Sequence, residues 1–233
     1  MDKLVVTPTY NEKENIEKII RKVMSLPGDF HMLIVDDGSP DGTAAIVRAL
    51  QLEFGGRLHM EERKGKLGLG TAYIHGFKWA LARDYRYIFE MDADFSHNPD
   101  DLSRLYDACR NGADLSVGSR YVRGGKVVNW PWDRVFISKG ASLYTRTITW
   151  MPVKDTTAGF MCYTDKVLRT IPLDEVRFIG YAFQIEMKYR AWKLGFKIKE
   201  IPITFVDRKE GISKMTKGII KEAIFGVWKM RKF

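Results

Sequence analysis

The stretch YIFEMDADFSHNPDDLSRLYDACR, residues 87–110, carries the signals of one complete strand–helix unit. Its first six residues, YIFEMD, are rich in the aromatic and β-branched residues that favour strands. Asn98 can cap the helix that follows, and Pro99 suits the first helical position. The pattern therefore predicts a strand over 87–92 and a helix over 99–110.

Further strand–helix units lie on either side of this stretch. Strands are predicted at residues 4–7, 32–37, 57–61 and 113–119, and helices at about 12–26, 41–54 and 70–83. Strands that alternate with helices form a mostly parallel sheet with helices on both faces. The sequence therefore predicts an α/β fold.

The second half of the chain has a less regular pattern. A long loop is predicted over 120–134, helices over 135–149 and 182–194, and strands at 159–164 and 196–206. A loop over 207–214 leads into a basic amphipathic segment at 215–233. Because the sequence contains no repeat or clear linker, we predict one domain over residues 1–233.

Two carboxylates, Asp92 and Asp94, stand where the strand at 87–92 ends. Residues two apart in an extended segment point to the same side, and the next helix does not need these acids as caps. Such a pair suits Mg²⁺ or Mn²⁺, which takes further ligands from water and substrate phosphates. A simple turn is the structural alternative.

Polar clusters follow three of the predicted strands. They are TPTYNE (7–12), DDGSPDGT (36–43) and DADFSH (92–97). Ligands of parallel α/β sheets bind outside the carboxyl ends of the strands, where an acid such as Asp37 can accept hydrogen bonds from a nucleotide. We therefore predict one binding site at this edge of the sheet.

Several common site motifs are absent from the sequence. The glycine-rich stretch GKLGLGTA (65–72) matches neither the P-loop pattern nor the dinucleotide-binding pattern. The four histidines show no metal-ligand spacing, and no GxSxG nucleophile motif is present. The glycines of this stretch more simply permit a tight entry into the predicted helix at 70–83.

The chain is basic, with a formal net charge of +9 and a pI of about 9.4. This charge favours anionic partners: nucleotide phosphates, an anionic membrane surface or nucleic acid. The two cysteines, Cys109 and Cys162, suggest neither a disulfide framework nor a zinc site and favour a reducing, cytosolic compartment. The sequence shows no signal peptide and no apolar run of about 18 residues that could span a membrane.

Seven motifs occur in one order along nearly the whole chain: TPTYNE, VDDGSPDGT, GKLGLGTAY, MDADFSHNP, GSRY, SKGAS and FVDRKEGISK. Together they resemble dolichyl- and polyprenyl-phosphate mannose synthases, which are inverting family 2 glycosyltransferases with the GT-A fold. The resemblance implies that mannose is transferred from GDP-mannose to a polyprenyl or dolichyl phosphate with the help of Mg²⁺ or Mn²⁺.

The resemblance also implies roles for particular residues. Donor contacts are implied for Pro8, Tyr10, Glu12, Val35, Asp37, Asp92, Ala93, Asp94, Arg120, Arg208 and Lys214. Acceptor-phosphate contacts are implied for Arg120, Arg134 and Ser138, and catalytic roles for Asp92, Asp94, Arg120 and Lys214. The metal ligands would be Asp92, Asp94 and Ser96. Some members carry glutamine at the position of Ser96, and a hydroxyl is a weaker ligand.

A phosphate acceptor changes what catalysis requires. A phosphate monoester is largely dianionic near pH 7, so its oxygen can attack without a general base and needs arginines to steer it. Arg208 and Lys214, on a loop that could close, would stabilise charge developing on the leaving diphosphate. A single in-line displacement predicts inversion, and hence a β-linked product from an α-linked donor.

The C-terminal segment MTKGIIKEAIFGVWKMRKF, residues 215–233, combines an apolar side with several cations. The apolar side contains Ile219, Ile220, Ala223, Ile224, Val227 and Trp228 at helical spacing. Such a helix suits a membrane interface, and Trp130 and Trp132 could join it there. Packing of the same side on the core is the alternative. We expect a cytoplasmic, peripheral membrane protein and leave an anchoring partner protein open.

Two other functions remain open on the sequence alone. One is a transferase of the same fold that uses another sugar nucleotide, such as UDP-glucose, since no single residue identifies the donor base. The other is a non-catalytic nucleotide-binding or nucleic-acid-binding protein, which the basic charge would suit. Acids at the site would repel a nucleic-acid backbone, so we predict no nucleic acid partner.

Overall fold

The structure, a computed structural model, describes residues 2–180, 182–207 and 226–230, and its first half alternates strands with helices. The strands are β1 (Lys3–Thr9), β2 (Phe30–Asp36), β3 (Leu58–Glu62), β4 (Tyr87–Glu90) and β5 (Leu115–Ser119). The helices between them are α1 (Ile16–Met24), α2 (Thr43–Phe54), α3 (Leu69–Leu81) and α4 (Asp101–Arg110). Each of these elements was predicted, although α1 begins four residues and α4 two residues later than expected, and β4 ends two residues earlier.

The second half adds β6 (Lys126–Val128), α5 (Trp132–Thr149), β7 (Met161–Thr164), α6 (Asp165–Thr170), α7 (Ala182–Lys193), β8 (Ile198–Pro202) and β9 (Thr204–Val206). Three predictions are wrong here: the loop over 120–134 contains β6, α6 was missed, and the strand at 196–206 is divided. The division falls after Pro202, which has no N–H for a continuing ladder. Beyond it, β9 pairs in parallel with β6 as a separate two-stranded sheet.

Seven strands form the main sheet, in the order β3-β2-β1-β4-β7-β5-β8. The neighbours β3, β2, β1 and β4 are parallel, as are β5 and β8, whereas β7 is antiparallel to both of its neighbours. The predicted mostly parallel α/β sheet is therefore confirmed.

Helices cover both faces of the sheet because side chains alternate along each strand. On β1, Leu4 and Val6 belong to one core cluster with residues of α3, α6 and α7. Val5 belongs to the cluster on the other face, with residues of α1, α2 and α4. Burying both faces leaves the carboxyl ends of the strands as the place where polar loops can gather.

A third, smaller cluster joins the end of α5, α7 and the C-terminal segment. Of that segment the structure describes residues 226–230, which are helical. Val227 and Met230 are buried there against Ile185 and Tyr189 of α7, whereas Trp228 is half exposed. The alternative prediction, that the apolar side packs on the core, is therefore confirmed for Val227 but not for Trp228. The rest of the predicted C-terminal helix lies outside the described residues.

Candidate active site

The carboxyl ends of β2, β1 and β4 lie side by side at one edge of the sheet. Pro8 and Val35, both predicted donor contacts, are register partners across β1 and β2, and Thr9 is opposite Asp36. The loop after β4 begins beside them, since Met91 N–H donates to the Val6 carbonyl. The three predicted polar clusters therefore share one edge.

The two adjacent acids after β2 have different partners. Asp36 accepts hydrogen bonds from the Thr9 hydroxyl at 2.8 Å and from the Ser39 hydroxyl at 2.6 Å, so it holds the turn after β2. Asp37 forms a nearly buried ion pair with Arg63, whose Nη2 lies 2.6 Å from the carboxylate. The predicted donor contact of Asp37 would therefore be made by a carboxylate already oriented by Arg63.

The loop after β1 is tied to the loop after β2 through its backbone. Asn11 N–H donates to the Ser39 hydroxyl, and Glu12 N–H donates to Thr43 Oγ1 at 3.1 Å. Lys66, from the glycine-rich stretch before α3, places its ammonium group 5.1 Å from the Tyr10 ring centre. These contacts hold the predicted donor residues Tyr10 and Glu12 at the sheet edge.

Asp92 and Asp94 are positioned by hydrogen bonds from neighbouring groups. The Tyr73 hydroxyl of α3 lies 3.3 Å from Asp92 Oδ1, and Ser96 N–H donates to Asp94 Oδ1 at 3.0 Å. The backbone between Asp94 and Ser96 turns sharply, with Phe95 at a φ of 57°. Positive φ at a bulky residue costs free energy and is concentrated at functional sites.

The acids and Ser96 fit a hard divalent cation. The Ser96 hydroxyl oxygen is buried and has no hydrogen-bond partner among the described residues, which leaves a ligand atom next to two carboxylates. Within the described ranges no cluster of three or more histidine, cysteine or acidic side chains forms a complete metal site. Two carboxylates and one hydroxyl suit Mg²⁺ or Mn²⁺ when substrate phosphates complete the coordination shell of the ion.

His97 links these acids to the cationic side of the site. Its ring stacks on Phe160 at 4.9 Å, and its pKa is lowered to about 4, first by burial and also by Arg120, while Asp94 opposes the shift. A neutral ring leaves Nδ1 able to accept the Asp92 N–H at 3.4 Å. The ring of His97 therefore packs in the interior and orients the backbone at Asp92.

Arg120 is held by an acid that sequence analysis missed. Its Nε and Nη2 donate to the two oxygens of Asp155 at 2.7 and 2.6 Å, and both side chains are almost completely buried. Its Nη2 also donates to the Thr157 hydroxyl. No spacing rule connects positions 35 residues apart, so only the fold identifies Asp155 as the residue that positions Arg120.

Arg134 and Arg120 both contact the ring of Trp130. The guanidinium carbon of Arg134 lies 4.0 Å from the ring centre and that of Arg120 lies 5.4 Å away. Arg134 also donates to Asp207 at 2.9 Å. Trp130 is therefore half-buried between arginines, which disagrees with the expectation that it faces a membrane. Trp132, in contrast, is exposed.

Of the remaining predicted residues, the structure describes Ser138 and Ala93. Ser138 accepts a hydrogen bond from the Tyr121 hydroxyl at 2.7 Å, one turn along α5 from Arg134. Ala93 is buried between the two acids. Arg208 and Lys214 lie outside the described residues, which stop at Asp207 before the gap.

A buried polar network, also missed in the sequence, lies beneath the acids. The Tyr163 hydroxyl of β7 donates to Glu90 at 2.8 Å, and burial raises the pKa of Glu90 to about 8. Lys188 of α7 donates to the Ala158 carbonyl at 2.6 Å, and burial lowers the pKa of Lys188 to about 8. The Tyr163 hydroxyl and the Lys188 ammonium group each lie 3.5 Å from Met161 Sδ, so the two pairs connect β4 to α7 through the core.

The chain that carries this site at the edge of the sheet matches a known protein family. Residues 4–176, most of the chain, match the model of the family described as glycosyl transferase family 2. The chain belongs to glycosyl transferase family 2. It is therefore a glycosyltransferase rather than a non-catalytic nucleotide-binding or nucleic-acid-binding protein.

Two relatives of this family 2 enzyme are similar over nearly its whole length. A polyprenol monophosphomannose synthase of Mycolicibacterium smegmatis is 49% identical over 98% of this chain and 87% of its own length. An undecaprenyl-phosphate mannosyltransferase of Micrococcus luteus is 46% identical over 96% of this chain and 91% of its own length.

Solved structures of glycosyltransferases share the fold of this family 2 enzyme. Glucosyl-3-phosphoglycerate synthase from Mycobacterium tuberculosis, in complex with Mn²⁺, UDP and glucosyl-3-phosphoglycerate, matches with a TM-score of 0.69 at 17% identity. That match covers 99% of this chain and 79% of the other. A Pyrobaculum calidifontis mannosyltransferase with GDP-Man and Mn²⁺ matches at 0.59, with 19% identity, over 98% of this chain and 60% of the other. The predicted GT-A fold is confirmed.

None of the helices in the described ranges is both long enough and apolar enough to cross a membrane.

Proposed function

We propose that this enzyme transfers mannose from GDP-mannose to a polyprenyl phosphate, with inversion and with the help of Mg²⁺ or Mn²⁺. The observation that carries the proposal is a continuous arrangement of oppositely charged groups. His97, whose Nδ1 accepts the Asp92 N–H, and Arg120 both lie against the ring of Phe205. Arg120 and Arg134 in turn both contact Trp130. A metal-binding acid pair for a donor diphosphate thus adjoins cations suited to an acceptor phosphate.

The relatives support the identity of the sugar and of the acceptor. Their names specify mannose and polyprenyl or undecaprenyl phosphate, and both are similar to nearly the whole of this chain. The Pyrobaculum structure, which holds GDP-Man and Mn²⁺, supports the same donor and metal class. We further propose that the enzyme works peripherally on the cytoplasmic face of a membrane, where a partner protein could anchor it.

The donor diphosphate would be held at the acid pair. A divalent cation bound by Asp92, Asp94 and Ser96 would neutralise charge on the diphosphate as it leaves. Tyr73 and Ser96 N–H hold these carboxylates in place before substrate arrives. The nucleoside would lie over Pro8, Val35 and Asp37 at the ends of β1 and β2.

The acceptor needs positioning more than activation. Its dianionic phosphate oxygen would form a bond to the anomeric carbon while the bond from that carbon to the diphosphate breaks, so GDP leaves with the electron pair. Arg134 and Ser138 would orient the acceptor phosphate. Arg120, which Asp155 holds in place, adds positive charge between the two phosphates. Attack opposite the leaving group inverts the anomeric centre.

A donor panel tests the proposal directly. Purified enzyme is incubated with labelled GDP-mannose, UDP-glucose or GDP-glucose, a polyprenyl phosphate and Mg²⁺ or Mn²⁺, and lipid-extractable label is counted. We expect label from GDP-mannose, its loss with a chelator, and a β-linked product by anomeric coupling in NMR. Preferential transfer from UDP-glucose would replace the proposed donor, and an α-linked product would exclude inversion.

A further inference from the structure

A cleft of about 370 Å³ lies between the segment after β5, helix α5 and Lys154, beside the proposed transfer site. Its lining includes four cations, Arg120, Lys139, Arg146 and Lys154, and no acidic residue within the described part of the chain. Of the proposed donor, acceptor and metal residues, only Arg120 lines it, and Asp155 occupies two of the nitrogens of that arginine. The cleft therefore adjoins the proposed transfer site at Arg120 and is otherwise lined by residues that have no role in the transfer proposed above.

Two polar atoms of this cleft lack partners. The Ser142 hydroxyl is buried, with the residue only 3% exposed, and it has no hydrogen-bond partner among the described residues. Arg146 Nε is likewise buried and without a partner in the described ranges. Buried donors without partners cost free energy, and native structures usually satisfy them with a ligand, ion or water. A donor and a hydroxyl beside cations suit a phosphate oxygen.

An exposed apolar stripe flanks the cleft on α5. It consists of Trp132, Phe136, Leu143 and the adjoining Trp150, with exposures of 83%, 75%, 63% and 78%. Positions separated by 4, 11 and 18 residues fall on one side of a helix, so the stripe runs the full length of α5. Leu143 belongs to both the stripe and the cleft. Exposed tryptophans beside cations are typical of surfaces that lie in a membrane interface.

We propose that the cleft binds the phosphate group of an anionic phospholipid of the membrane, with the apolar stripe inserted beside it among the acyl chains. Lys139 and Lys154 attract the headgroup, and Arg146 and Ser142 bind its phosphate oxygens. We assign the cleft a ligand other than the reacting acceptor, because Arg134 and Ser138, which would orient the acceptor phosphate, do not line it. The site orients the enzyme on the bilayer and does not depend on which sugar is transferred.

Vesicle binding by charge-matched variants tests this proposal. The cleft variant carries Lys139→Gln, Arg146→Gln and Lys154→Gln. The control carries Lys18→Gln, Arg110→Gln and Lys193→Gln, which alter exposed cations outside the cleft and change the net charge equally. On phosphatidylcholine vesicles containing phosphatidylglycerol, we expect the cleft variant to lose at least about tenfold in affinity and the control less than about threefold. Equal losses would mean general surface charge and overturn the proposal.

A substitution that leaves the net charge unchanged distinguishes a specific phosphate-binding site from general electrostatic attraction. Ser142→Ala should weaken binding of soluble dihexanoyl phosphatidylglycerol several-fold while leaving binding to neutral vesicles unchanged. If Ser142→Ala left the affinity for the soluble lipid unchanged, neither Ser142 nor the cleft would bind the lipid phosphate, and the proposal would be wrong. Thermal melts report folding, and if Arg146→Gln unfolds the chain, the double variant of the exposed residues Lys139 and Lys154 replaces the triple one.

Competition identifies the source of the phosphate. Inorganic phosphate, dihexanoyl phosphatidylglycerol and a short soluble polyprenyl phosphate are titrated into wild-type and cleft-variant enzyme. We expect the difference between the two proteins to be largest for phosphatidylglycerol. A larger difference for polyprenyl phosphate would make the cleft an acceptor subsite and overturn the assignment. Turnover of the soluble acceptor should match wild type, so failure of the proposed transfer reaction and failure of this binding site are observed separately.

Discussion

Asp94 is the more buried of the two acids after β4, and its carboxylate is oriented by Ser96 N–H. We expect Asp94→Asn to lower turnover by roughly 10²–10³-fold or more, because it removes a charged metal ligand without changing size. Asp92→Asn should have the same effect less completely. Turnover at limiting Mn²⁺ is the measurement, and thermal melts should show normal folding.

The exposed acid Asp107 on α4 provides a matched control. Asp107→Asn removes the same charge from the chain at a distance from the strand ends and should leave turnover unchanged. Wild-type turnover of Asp94→Asn at limiting metal would refute the metal-binding role of this acid pair.

Arg134 lies against Trp130 and is paired with Asp207, on the acceptor side of the proposed site. Arg134→Ala should raise the KM for lipid phosphate by about tenfold or more, since it removes a charge-assisted hydrogen bond to the phosphate. Affinity for the GDP-sugar should change little. Arg134→Lys keeps the charge and should show a smaller increase. A calorimetric titration in which Arg134→Ala loses donor binding would contradict the acceptor role.

Asp155 and Arg120 form a buried ion pair whose disruption should be costly. Asp155→Asn leaves the Arg120 charge buried without a counter-ion, so we expect the free energy of unfolding to fall by about 3–5 kcal/mol. Chemical denaturation measures this change. Adding Arg120→Met to Asp155→Asn removes the uncompensated charge and should restore part of the stability; a further loss would contradict this explanation.

The same pair predicts how stability depends on pH. Burial alone would raise the pKa of Asp155, but hydrogen bonds and the charge of Arg120 outweigh it and hold the pKa below its ordinary value of 3.8. A carboxyl group whose pKa is lowered by folding stabilises the folded state at any pH above its ordinary pKa. This stabilisation is lost as the pH falls through the lowered pKa of the folded state. Asp155→Asn should therefore flatten the acid limb of the stability curve below about pH 4.

At the scale of elements, helix α3 must approach β1 closely because it carries Tyr73 to Asp92. Gly76 of α3 permits this approach, since a Cβ atom there would collide with Val6 Cγ1 of β1. Gly76→Ala should lower the free energy of unfolding by about 1–3 kcal/mol through overpacking. Turnover should also fall, because Tyr73 would shift from Asp92.

Gly140 supplies the matched control for that substitution. It lies inside α5, and a Cβ atom there would meet nothing within 4 Å. Gly140→Ala should stabilise the protein by about 0.5–1 kcal/mol, because alanine has the higher helix propensity and the site has room for it. A stabilising Gly76→Ala would show that α3 and β1 are not in close contact.

At the scale of the whole molecule, the C-terminal segment has two sides with different environments. Met230 is fully buried with Ile148 and Ile185, whereas Trp228 is half exposed. Met230→Ala should cost about 2–5 kcal/mol of stability. Trp228→Ala should cost less than about 0.5 kcal/mol and instead weaken vesicle binding. Denaturation and co-sedimentation of the two variants separate these effects, and equal destabilisation by both would contradict them.

The sequence by itself determined the α/β class and the edge of the sheet that carries the site. Strand and helix periods are local properties, and short segments such as MLIVDD or AAIVRAL express them without any partner. The carboxyl ends of parallel strands gather at one edge by topology alone, so the sequence is sufficient to place Asp36, Asp37, Asp92 and Asp94 at the same edge.

Only the tertiary structure decided which distant side chains meet. The pairing of Arg120 with Asp155, the antiparallel insertion of β7 between β4 and β5, and the short ladder between β6 and β9 all join segments far apart in the chain. Val227 and Trp228 both belong to the predicted apolar side of the C-terminal segment, but one is buried and the other half exposed. Which residues pair and which are buried depends on packing and on the desolvation of particular partners. The hydrophobic periodicity of a single segment carries no information about either.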